Sequence, residues 1–197
     1  MYKKQLRFQK FACLLAIIAA AVMFLYSLGM ITDIYDSLYS TMRNPNNLLD
    51  TKVPGSIIYY DMQDFNHQLV KFCIGMILLG ALLFITNTQV RRRYYVSNFI
   101  SVGLYSAAAV ALFLWSNTHI QTFRHQYLTT VDFEALKKYS EMWNTYYTDS
   151  PLSFDLFYVA GGLLLLAVLA QIVNLVWKIV MMSGEKKLIR EGEEAAV

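Results

Sequence analysis

Gln89-Val90-Arg91-Arg92-Arg93-Tyr94-Tyr95 is the stretch on which the reading of this chain turns. Its three arginines stand between two apolar runs, residues 72–90 and 94–123, and neither run contains an Asp, Glu, Lys or Arg. About 20 consecutive apolar residues suffice to cross a hydrocarbon core as a helix, so both runs predict membrane spans. A short connection rich in arginine stays on the cytoplasmic side. The two spans are therefore expected as an antiparallel hairpin of neighbours with its turn inside.

Working outward from the turn, two further runs of 22 charge-free residues appear, Phe11 to Thr32 and Leu156 to Trp177. Each would measure about 33 Å as a helix, enough for a core of roughly 30 Å. The first is longer than the apolar region of a signal peptide, so a retained span is expected rather than a cleaved leader. The predicted fold class is an all-α membrane protein. Its four transmembrane helices, at about 11–32, 69–88, 95–117 and 154–177, form an antiparallel bundle with both termini cytoplasmic. Outer segments at about 33–68 and 118–153 make a small helical extracytoplasmic cap, and 183–197 is a solvated cytoplasmic tail.

Composition agrees: 56% of the 197 residues are hydrophobic and 16% are charged, against about 25% charged in soluble domains. The length suits a single domain. With the turn inside, eleven of the 17 Lys and Arg residues are cytoplasmic: Lys3, Lys4, Arg7, Lys10, Arg91 to Arg93, Lys178, Lys186, Lys187 and Arg190. This bias supports the orientation and gives a basic rim suited to anionic headgroups. Nothing in the charge pattern suggests nucleic acid. Cys13 and Cys73 both fall within spans, leaving the outer segments without disulfides, and no Asn-X-Ser/Thr sequon occurs. Both absences favour a bacterial cytoplasmic (plasma) membrane, with the chain multi-pass.

Helical periodicity continues past the first span through Ile31, Ile34, Tyr35, Leu38 and Met42, so that helix is expected to project two or three turns before Asn44-Pro45-Asn46-Asn47 ends it. Pro54-Gly55 predicts a turn, while Ile57 to Tyr60 reads equally as extended structure or packed loop. Phe133, Leu136, Ser140, Trp143 and Tyr147 form an apolar stripe at helical spacing. Thr129 with Asp132 resembles a helix start, and Ser150-Pro151 predicts the cap and first residue of the fourth span. Segments of this size cannot fold alone, so their apolar stripes must be covered by one another, by a partner or by the interface.

Candidate chemistry is sparse. Asp61, Asp64 and His67 share a face if their stretch is helical, and His119 and His125 lie near the top of the neighbouring span. Carboxylate and imidazole suit zinc, copper or manganese, yet the spacing matches no metal motif. No histidine lies at membrane depth to ligate haem, and no phosphate loop or nucleophile turn occurs. No catalytic residue and no cofactor are assigned. Asn87, Asn98, Gln171 and Asn174 are expected to hydrogen-bond between helices, and Lys71 and Asp155 are candidates for an ion pair. Small residues, Gly103, Ala107 and Ala111 on the third span and Ala12, Ala16 and Ala20 on the first, mark expected contact faces.

The expected function is a non-catalytic multi-pass membrane protein, a partner-binding or structural subunit of a membrane complex. Its partners are the lipid bilayer and a protein partner or further copies of itself. Tyr35, Tyr39, Tyr59, Tyr60, Tyr127, Tyr139, Tyr146 and Tyr147, with Trp143, would supply an aromatic docking surface. The alternative is a homo-oligomeric channel or transporter component, its pore lined by hydroxyls and amides. A second alternative is an extracytoplasmic metal-binding or redox membrane protein.

Overall fold

A computed structural model of the chain describes residues 2–29, 34–39, 41, 53–88 and 96–194. The arginine turn and Asn44 to Asn47 lie outside the described residues, as do the side chains of Tyr35, Glu193 and Glu194. The described residues form helices α1 (Tyr2–Gly29), α2 (Ile34–Tyr39), α3 (Ile58–Asn87), α4 (Val96–Thr130), α5 (Phe133–Trp143) and α6 (Leu152–Glu194). Among them α1, α3, α4 and α6 are long and apolar enough to cross a membrane.

The chain divides into two compact units. One comprises residues 1–20, 76–110 and 163–197, the other 21–75 and 111–162. In the first unit, Ala12, Ala16, Ala19 and Ala20 are fully buried on α1. Small side chains permit close approach, and the Tyr105 hydroxyl of α4 uses the gap to donate to the Ala16 carbonyl at 2.9 Å. A polar seam crosses this unit. Gln5 Nε2 donates to Gln9 Oε1 at 3.0 Å and to Asn174 Oδ1 at 2.9 Å. Asn87 Nδ2 donates to Ser101 Oγ at 2.9 Å, while Asn87 Oδ1 accepts from Lys178 Nζ at 2.9 Å.

The second unit is aromatic. Phe113 and Phe157 stack at 5.7 Å, and Gly161 leaves room for the pair, because a Cβ there would stand 2.7 Å from Phe113 Cε2. Phe65 packs between Trp115 at 5.0 Å and Phe123 at 5.4 Å. Tyr127 is fully buried, 5.2 Å from Phe133 and 5.7 Å from Phe154, and its hydroxyl donates to the Thr148 carbonyl at 2.8 Å. One side chain thus ties α4 to α5, to the 144–151 connection and to the start of α6.

Several boundaries differ from the sequence expectation. α1 is described to Gly29 and α2 from Ile34, and whether the first helix runs on between them, as expected, lies outside the described residues. Ile58 to Tyr60 open α3, eleven residues before the expected start of the span at about 69. α4 runs to Thr130, far past 117, because Ile120, Phe123 and Tyr127 continue its buried face. Thr129 is therefore in the last turn of α4, its Oγ1 donating to the His125 carbonyl at 2.7 Å, and α5 is capped by Asp132 alone. α6 begins at Leu152, whose N–H donates to Ser150 Oγ at 3.2 Å, and it continues as helix through most of the expected tail, to Glu194.

Among the described residues, the row Gly103, Ala107 and Ala111 is left uncovered. All three are exposed, and nothing stands within 4 Å of where a Gly103 Cβ would lie. The buried face of α4 is instead Val102, Tyr105, Ala109 and Leu112.

Candidate functional site

α5 is short, and its ends are held by local chemistry. Asp132 sits at the N-cap with extended backbone, and its Oδ1 accepts from the Ala135 N–H at 2.9 Å. Asn144 ends the helix in the left-handed region, φ 49° and ψ 51°, a conformation asparagine tolerates better than most residues. The Thr145 N–H then donates to the Ser140 carbonyl at 3.0 Å. An 11-residue helix is marginal alone, so packing must complete it. Leu136 and Ser140 are buried, and Phe133 meets Tyr127 edge-on.

The stripe divides along its length. Leu136 and Ser140 pack within the second unit, whereas Trp143 is 51% exposed, beside Met142 at 74% and Tyr146, just past the helix, at 52%. Trp143 stands 6.3 Å from Tyr139. Tyr147 donates its hydroxyl to Asp149 Oδ2 at 3.1 Å, and burial followed by that carboxylate holds its phenol above the usual range. The Thr148 N–H donates to Ser37 Oγ of α2 at 3.3 Å, so the connection beyond α5 is anchored on both sides of the open patch.

The tyrosines expected at the surface separate into two classes. Tyr39 is exposed and stacks near Tyr59, 5.8 Å away, but Tyr59 is itself buried. Tyr127 is the buried hub already described. Its place at spacing four after Phe123, with Val131 four further on, was a signal present in the sequence. Met142 carried no periodic signal.

The metal candidates are not brought together. Among the described residues no three His, Cys, Asp or Glu side chains gather to hold an ion. Asp61, Asp64 and His67 are exposed. His119 is stacked on Phe65 at 5.2 Å, near Trp115 at 4.9 Å, with Nδ1 2.9 Å from the Trp115 carbonyl. His125 lies instead beside Arg124 on the rim of a groove between α4 and α6. Lys71 is exposed, and the partner of Asp155 is Arg124, whose Nε donates to Oδ1 at 3.1 Å. Cys13 and Cys73 are both free and buried.

In the first unit the expected interhelical bonds of Asn87 and Asn174 are present, but Lys178 is a residue whose role sequence reading missed. The charge pattern counts it among the cytoplasmic basic residues, yet it is only 3% exposed and its ammonium donates to Asn87. The pairing joins residues 91 positions apart, so no local pattern announced it. Comparison with protein-family models, with curated proteins and with solved structures finds no match.

Proposed function

We propose that the chain is a non-catalytic multi-pass membrane protein that acts as a partner-binding or structural subunit of a membrane complex. The observation that carries this reading is the open end of α5, where Met142 and Trp143 are exposed in the last turn of a helix capped at both ends and Tyr146 is exposed just beyond it. Aromatic and methionine side chains are enriched in the cores of protein interfaces. A preorganised anchor loses less freedom on docking than a mobile loop would.

In this reading the four spans form an antiparallel bundle, both termini are cytoplasmic, and α2, α5 and their connections form an outer cap. The distribution of Lys and Arg supports it, with eleven of 17 on the side of the termini and the arginine turn. Lys186, Lys187 and Arg190, clustered near the end of α6, then face the anionic cytoplasmic leaflet. The missing outer cysteines and sequons support a bacterial plasma membrane.

Purification of the full chain from its own membrane in mild detergent should bring a second protein with it. Trp143→Ala should weaken that association at least about tenfold, as loss of a hot-spot aromatic does. The same variant should leave the melting of the isolated chain within about 1 kcal/mol, since half of the ring lies outside. Unchanged association in Trp143→Ala and Tyr146→Ala together refutes the anchor.

One observation favours a second reading, a homo-oligomeric channel. Gly103, Ala107 and Ala111 present an exposed row of small residues on α4, against which another helix can pack closely. Selective ion flux through purified protein in liposomes would decide for it. A silent bilayer would decide against it.

A further inference from the structure

On α4 no charged residue occurs from Val96 to Phe123, and on α6 none occurs from Leu156 to Trp177. The first charges beyond those runs are Arg124 and Asp155, and they meet each other at 3.1 Å. On two helices, then, the apolar run stops at one shared ion pair, and that places the pair at the depth of lipid headgroups for helices that cross a bilayer. Around it lies an open groove of about 550 Å³, lined by Gln121, Arg124, His125, Leu128, Asp155 and Tyr158. That volume falls within the range of small-ligand sites.

We propose that this groove binds the headgroup of a zwitterionic phospholipid bearing a primary amine, a phosphoethanolamine lipid. The proposal rests on the chain's spanning a membrane and is independent of any protein partner. Arg124 and Asp155 are 40% and 44% exposed, and ion pairs so accessible contribute little to stability. Their bond engages only Nε and Oδ1, so the terminal guanidinium nitrogens and Asp155 Oδ2 lie outside it. A phosphate diester fits the guanidinium, which offers paired donors to two oxygens. Gln121, whose Nε2 gives one proton to Asn117 at 3.3 Å, and the Tyr158 hydroxyl stand nearby as further donors. The lipid's ammonium then meets the Asp155 carboxylate.

Net charge selects the class of lipid. The pair is neutral as a whole, so a purely anionic headgroup meets Asp155 unfavourably, whereas a zwitterion matches both members. A trimethylated ammonium carries no N–H and cannot donate to the carboxylate. Leu128 and Tyr158, both exposed, supply the apolar and amphipathic contacts that a glycerol backbone and the start of acyl chains require.

Native mass spectrometry of the full chain, released from nanodiscs holding equal amounts of phosphatidylethanolamine, phosphatidylcholine and phosphatidylglycerol, tests this directly. Retained phosphatidylethanolamine should exceed each of the others roughly five-fold, the effect of one interfacial charge contact. Arg124→Gln should abolish the enrichment, and Asp155→Asn should move the preference towards phosphatidylglycerol. Equal retention of the three lipids by the wild-type chain would overturn the proposal, and this comparison needs no substituted protein to fold. Enrichment that persists in Arg124→Gln would overturn it as well. Retention of soluble glycerophosphoethanolamine by the chain, with no preference among the three lipids, would assign the groove to a free solute and overturn the proposal.

Discussion

Replacing Gly55 by alanine should cost more than the same change at any other described glycine. Val53-Pro54-Gly55-Ser56 forms a turn closed by the Ser56 N–H donating to the Val53 carbonyl at 3.2 Å. Proline at the second position and a third position at φ +79° are the requirements of a type II turn, and only glycine meets the latter without strain. The turn is also docked: the Asp132 N–H donates to the Pro54 carbonyl at 3.1 Å. A Cβ on Gly55 would collide with the Thr130 carbonyl group and lie 2.8 Å from Val131 Cα, and all of these are backbone atoms with no rotamer to yield. Left-handed strain of about 1–2 kcal/mol, overpacking of about 1–3 kcal/mol and a weakened hydrogen bond of about 1 kcal/mol together predict a loss of about 3–6 kcal/mol. Reversible unfolding in detergent measures it, with Gly103→Ala as the control. That residue lies in helix with open space around it, so the control should gain about 0.5–1 kcal/mol. Gly55→Asn separates the causes, since asparagine tolerates the backbone angle yet meets the same collision. A Gly55→Ala chain as stable as wild type would refute the docked turn. Recovery in Gly55→Asn would show that strain, not close approach, is the cause.

Tyr127→Phe should remove the bond to the Thr148 carbonyl, costing about 1 kcal/mol and speeding amide exchange over 144–151, read by hydrogen-exchange mass spectrometry. Unchanged exchange there would show that the hydroxyl does not hold the connection. In a chain lacking Cys13 and Cys73, Glu141→Cys should react with an impermeant thiol reagent added outside intact cells and Ser183→Cys should not. The reverse pattern would invert the proposed orientation. Ala107→Leu should leave the melting of the single chain unchanged, because the residue is exposed. A shift to smaller assemblies in sizing measurements would place the row between protomers, and no shift would leave it facing lipid.

The four long helices were legible because a charge-free run of twenty or so residues has few other fates in a chain. Their ends were less so. Apolar composition reports where lipid stops, whereas a helix continues wherever packing supports it, as Ile120, Phe123 and Tyr127 support α4 to Thr130. Pro54-Gly55 was readable because the constraint is local. The α5 stripe was readable as a stripe, yet periodicity could not say that Leu136 is covered and Trp143 is open, which depends on how far the neighbouring elements reach. The small residues of α4 were legible as a row but not as to what covers them, because Ala and Gly permit close approach without naming the neighbour, and in the single chain the row is exposed. Lys178 with Asn87 and Arg124 with Asp155 join distant positions, and for such pairs only the folded arrangement of helices chooses among the available partners.

The buried amides of the first unit also act on assembly, before the fold is complete. Two apolar helices in lipid can slide along each other with little penalty, since one greasy surface resembles the next. Gln5 bound to Asn174 and Asn87 bound to Lys178 remove that freedom. A slip of one helical turn of α6, about 5.4 Å, would break both bonds at once and leave four buried polar groups without these partners. Each bond adds only about 0.6 kcal/mol to the correct arrangement, but every wrong arrangement leaves them orphaned. The seam therefore works as a vernier: it contributes modestly to the depth of the native state and strongly to its uniqueness, fixing the axial alignment of α1 with α6 and of α3 with α6 among many near-equivalent greasy contacts.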